Sequence, residues 1–135
     1  MIEAHPLSAV LRFRDIVISQ QALSGKLGVT LDRFSPERSG DLFWAQINLP
    51  ECRDSWQSIK GHIATLASPI AELITSGAIG SATLDLAFSF DSKLITRSAK
   101  IPKCIVEAAG RGQLDLEIST YPSTDNDTAD PVQKS

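Results

Sequence analysis

The chain has 135 residues, 42% of them hydrophobic and 21% charged, enough apolar surface for one folded domain with its own core. Its net charge of −3 excludes the basic footprint of a nucleic-acid binder. Most of that charge is local: Asp125, Asp127 and Asp130 stand against Lys134 in residues 121–135, so the body is close to neutral. No apolar run approaches the roughly 18 residues of a membrane span. The opening Met1-Ile2-Glu3-Ala4-His5-Pro6 lacks the basic and apolar regions of a secretory signal, so a cytoplasmic location is expected. Cys52 and Cys104 belong to no CxxC or CxH pair and read as small, partly buried hydrophobes in a reducing compartment.

In chain order, residues 8–14 form a first alternating segment, with Ala9, Leu11 and Phe13 on one face and Val10, Arg12 and Arg14 on the other. Ser19 reads as the N-cap of a short helix carrying Ala22, Leu23 and Leu27, and Gly28 stands where a left-handed residue ends it. Gly25 weakens that helix by about 1 kcal/mol relative to Ala, so it must lean on tertiary packing. Residues 29–34 and 42–49 predict the two strands of a hairpin around the turn formers Ser35-Pro36-Glu37-Arg38-Ser39-Gly40.

Asp54 or Ser55 then caps a long helix. Trp56, Ile59, Ile63, Leu66, Ile70 and Leu73 recur at alternating steps of three and four, which places them on one stripe. Pro69 interrupts this stripe by removing an amide donor and crowding the preceding turn. The expectation is a kink or two consecutive helices, closed by Gly77 and Gly80. Ala82, Leu84, Leu86, Phe88 and Phe90 follow at steps of two, separated by Thr83, Asp85, Ala87 and Ser89, as a half-buried strand. Residues 91–100 are less regular. Pro102 fits the first position of a third helix, where its missing donor costs nothing. Ile105, Val106 and Ala109 are expected inward, and Gly110 and Gly112 end the helix. Leu114, Leu116 and Ile118 alternate with Asp115, Glu117 and Ser119 as a last strand. Hydrophobes nearly vanish from Tyr121 on; residues 1–122 are read as the domain and 123–135 as a disordered tail.

The order is β-α-β-β-α-β followed by α-β, an α+β domain. Its first six elements match the ferredoxin-like split-βαβ arrangement: a mainly antiparallel sheet with helices on one face, extended by one helix and strand. Strands covered on one side only should alternate, and these do.

The run from Ile101 to Pro122 joins a proline-started short helix, small residues and glycine, then Leu114-Asp115-Leu116-Glu117-Ile118-Ser119 and Tyr121-Pro122. Together with Leu27-Gly28-Val29, the Gly40–Trp44 segment and the long helix with its inner Pro69, it resembles the small bacterial proteins of domain-of-unknown-function family 4279. The resemblance spans residues 8–122. It implies a stand-alone bacterial α+β domain and brings no catalytic residues. Small orphan bacterial domains of this size often serve as antidotes to toxins delivered by neighbouring cells, and the antidote role is expected here by that analogy alone.

Neither His5 nor His62 stands in a context that would orient it against a nucleophile. The glycines form no phosphate-binding motif, and Gly110-Arg111-Gly112 reads as a helix stop. Asp85, Asp115 and Glu117 fall on outward positions of the two late strands. Such carboxylates could serve a divalent metal or acid-base chemistry, pair with Arg12 and Arg14 across the sheet, or meet a partner. Trp44 and Trp56 are each either core or an interface anchor, with core the favoured reading for Trp56. The expectation is therefore a non-enzymatic binding protein without metal or cofactor, of the immunity type, with Asp85, Asp115, Glu117, Arg12, Arg14 and Trp44 as its candidate protein-binding residues. The alternatives are a small enzyme or ligand-sensing domain with a pocket between helices and sheet, and a structural homodimer through a sheet edge. Nucleic acid and membrane are not expected partners.

Overall fold

A computed structural model describes residues 6, 8–38, 40–50, 56–90 and 99–122. The first alternating segment forms β1 (Ser8–Ile16), with Ala9, Leu11 and Phe13 buried. Helix α1 (Gln20–Leu27) starts where the Ala22 amide donates to the Ser19 hydroxyl, and it stops at Gly28, whose φ of 73° needs no Cβ penalty. The hairpin strands are β2 (Arg33–Pro36) and β3 (Phe43–Asn48). They are followed by α2 (Trp56–Thr75), β4 (Ser81–Phe90), α3 (Lys103–Arg111) and β5 (Asp115–Pro122).

The sheet order is β2-β3-β1-β4-β5. β1 lies antiparallel between β3 and β4, and β2 is antiparallel to β3. These four strands have the expected ferredoxin-like order. Helix α3 then carries the chain back over the sheet, so that β5 joins the far edge parallel to β4. The inner strand residues share one core with Leu23 and Leu27 of α1, Ile59, Ile63, Leu66, Ile70 and Leu73 of α2, and Ile105, Ala108 and Ala109 of α3. Trp56 closes one end against Phe88, ring centroids 6.2 Å apart.

Four expectations need correction. The second strand begins at Arg33, not residue 29: Leu31 is buried and Val29 packs on the core, so both plug the helix-to-strand connection instead of alternating along a strand. Helix α2 runs through Pro69 as one helix, not as two consecutive ones. Ile70 and Leu73, beyond the proline, are both buried, and each contributes about 1.5–3 kcal/mol. Together they offset the roughly 3 kcal/mol that an interior proline costs. In α3 Ala108 joins Ile105 and Ala109 on the inward side in place of Val106, which is 47% exposed. In β5, Leu116 and Ile118 lie on the helix side but remain exposed, and the strand runs on through Tyr121 and Pro122. Cys104 is a half-buried free thiol. The expectations for Cys52, for a cap at Asp54 or Ser55, for His5, for residues 91–98 and for the tail 123–135 lie outside the described residues.

One tight contact sets the geometry at the end of β1. The β1–β3 register shifts between Phe13 and Ile16, and Asp15 takes a left-handed φ of 56° there. Its amide donates to Glu37 Oε2 at 2.7 Å, and the Gly80 amide donates to the Arg14 carbonyl at 2.9 Å. A Cβ on Gly80 would lie 2.7 Å from Asp15 Cβ, so only glycine fits. Gly80→Ala is expected to destabilise the fold by about 1–3 kcal/mol. Most of that loss should disappear in an Asp15→Gly background, as measured by a double-mutant cycle of denaturant midpoints.

Candidate functional site

The pleat decides which side chains share the face opposite the helices. On β1 the inner residues Leu11 and Phe13 leave Val10, Arg12 and Arg14 outside, and their partners follow by register. Arg12 stands opposite Thr83 on β4 and Gln46 on β3, while Val10 stands opposite Asp85 and Asn48. Asp85 pairs with Glu117 on β5, and Thr83 with Asp115. Trp44, two residues before Gln46, takes the same face opposite Ser35 of β2. Strands β1, β3, β4 and β5 thus bring Asp85, Asp115, Glu117, Arg12, Arg14 and Trp44 onto one face. The described helices bury their apolar stripes on the other.

The six do not form one uniform surface. Arg12 Nη1 donates to Asp85 Oδ2 at 2.7 Å, and the Ser119 hydroxyl donates to Asp85 Oδ1 at 2.9 Å. Glu117 Oε1 lies 4.0 Å from the same Arg12 nitrogen, at the limit of an ion pair. Asp85 is only 7% exposed, although its position in the pleat faces outward. Its short side chain, mid-sheet between β1 and β5, is shaded by longer neighbours such as the Arg12 stem, and Ala87 two residues on is buried too. Asp85 is therefore a structural anchor for Arg12, not a free surface carboxylate, and the expected cross-strand pairing holds for Arg12 but not for Arg14. Arg14 is exposed and makes no ion pair among the described residues. Asp115 and Glu117 are exposed, and Trp44 is half-buried.

Ser119 and Tyr121 were missed as site residues. Ser119 completes the ring around Asp85, and Tyr121, 55% exposed, continues the outer row of β5. Thr120 and Tyr121 are both good strand formers, a signal that the alternation runs past Ser119. The outer face thus carries exposed Asp115 and Glu117 on the β5 edge, Arg14 on the central β1 and Arg33 on the β2 edge.

Among the described residues, no three of His, Cys, Asp and Glu converge as metal ligands. His62 is half-buried on α2. A concavity of about 580 Å³ lies on the outer side of the helix layer, where Ser68, Ala71 and Thr75 of α2 meet Arg111 of α3. Among the described residues, no helix is long and apolar enough to cross a membrane.

These features define a class: an α+β domain whose split-βαβ sheet carries helices on one side and an organised polar face on the other. Comparison of the chain with family models, with curated proteins and with solved structures finds no match.

Proposed function

We propose that this chain is a non-enzymatic bacterial binding protein of the cytoplasm, an immunity-type inhibitor that occupies a cognate toxin, by analogy with other small orphan bacterial domains of this size. The observation that supports this reading is the gathering of exposed carboxylates, an arginine and a half-buried tryptophan on the one sheet face that the described helices leave free. An aromatic and arginines with charged groups at the rim are the composition of a protein-recognition surface. Arg12, held by Asp85, gives the middle of that surface a fixed shape.

The test is binding to the product of the adjacent gene, since toxin and antidote genes lie side by side. A tight complex is expected. Reversal of Asp115 and Glu117 to Lys should slow its association and remove its salt dependence while leaving the fold intact, because rim charges steer encounter more than they hold complexes. Absence of any complex, with a small ligand raising the melting temperature instead, would replace this reading by a ligand-binding one.

A further inference from the structure

The two edges of the sheet are built differently. The β2 edge is four residues long and ends in Pro36, a short edge of the kind that resists further pairing. The β5 edge is eight residues long, and its pairing with β4 runs unbroken from Asp115 to Pro122. Among the described residues, no backbone hydrogen bond reaches β5 from its far side. On the helix side of this edge Leu116 and Ile118 are 37% and 47% exposed, because the nine-residue α3 does not reach over them. On the outer side stand Asp115, Glu117 and the Tyr121 ring.

We propose that β5 is the docking edge for an extended segment of a protein partner in which basic and apolar side chains alternate. The inference rests on the binding-protein reading above and names its partner class. Such a segment adds a sixth strand and satisfies the backbone groups along the edge. A strand's alternation then puts its apolar side chains beside Leu116 and Ile118 and its basic side chains beside Asp115 and Glu117, with a further cation over Tyr121. Both rows of the edge are matched at once, which an acidic or a uniformly apolar segment cannot do. A second copy of this chain is the weaker occupant. Full antiparallel pairing of β5 with β5 sets Asp115 opposite Tyr121 and Glu117 opposite Ser119, so the carboxylates meet no cation and the two Glu117 side chains face each other on the diagonal.

The probe is a synthetic eight-residue peptide alternating Lys and Val, compared with a Glu–Val alternation and with the same Lys and Val residues arranged in two blocks. Amide NMR shifts should change most along residues 115–121. Binding of the Lys–Val alternation should be about tenfold tighter or more than that of either control. The Asp115→Lys/Glu117→Lys variant, with folding checked by circular dichroism, should prefer the Glu–Val peptide. Any of three results overturns the proposal: no shift at millimolar peptide, shifts centred elsewhere, or a preference unmoved by the charge reversal. So does a dimer of the free protein that Ile118→Lys dissolves, which would make a second copy the occupant. Failure of the immunity reading looks different: the adjacent gene's product does not bind, while the peptide results stand. If that product binds, associates more slowly with the reversed variant and yet leaves residues 115–121 unprotected, the edge proposal alone falls.

Discussion

Asp85→Lys should cost the fold about 3–5 kcal/mol, the range for leaving a buried charge without its partner. The substitution sets an ammonium beside the Arg12 guanidinium at a position only 7% exposed, and it also strands the Ser119 hydroxyl. Since small domains hold roughly 5–15 kcal/mol in total, this is a large fraction of the stability. Arg12 keeps about a third of its side-chain surface in water, so a simple truncation, Asp85→Ala, should fall below that range. Asp85→Asn should cost less again, about 1–2 kcal/mol, because the amide oxygen still accepts from Arg12. Asp115→Lys, fully on the surface, should stay within about 0.5 kcal/mol. Urea midpoints of the four variants check this order. Equal midpoints for Asp85→Lys and Asp115→Lys would mean that Asp85 is not the anchor of the outer face. The binding tests accordingly reverse Asp115 and Glu117 and leave Asp85 in place, since loss of binding by an unfolded variant says nothing about a surface.

Leu86→Ala and Ile63→Ala are each expected to destabilise by about 2–5 kcal/mol, while Thr83→Ala changes little. Leu86 sits in the middle of β4 and Ile63 in the middle of α2, both fully buried in the one core that joins helices and sheet. Removing either side chain forfeits its transfer free energy and leaves a cavity that a well-packed core fills only in part. Thr83 is on the opposite face across from Arg12, so it leaves no hole. The comparison also tests strand register. A slip of one residue would exchange the two faces, and Thr83→Ala would then carry the loss. Chemical denaturation of the three variants, with the slope checked for constancy, decides it.

How far the sequence could be read depended on whether the deciding force was local. The start and stop of α1 were legible because Ser19 and Gly28 act on backbone groups within a few residues of themselves. The periods of α2 and β4 were legible because each element must present one apolar side, and from these the element order and split-βαβ topology followed. Parity along β1, β4 and β5 likewise placed Arg12, Asp85, Asp115 and Glu117 on a common outer face. Pro69 marks where local reasoning ended. Its cost is written in the residue, but the burial of Ile70 and Leu73 that offsets it exists only once α2 lies on the sheet.

Depth belonged to the tertiary structure alone. Alternation tells which way Asp85 points, and only the flanking strands bring the Arg12 stem and Ser119 close enough to bury it. Alternation also marks Leu116 and Ile118 as one apolar row. Whether that row is covered depends on the reach of α3 and on β5 being the last strand in the sheet. Periodicity is a property of one segment and was fixed by its own residues. Burial is a property of what packs against that segment, and here it turned one outward aspartate into part of the scaffold and left one apolar row at an open edge.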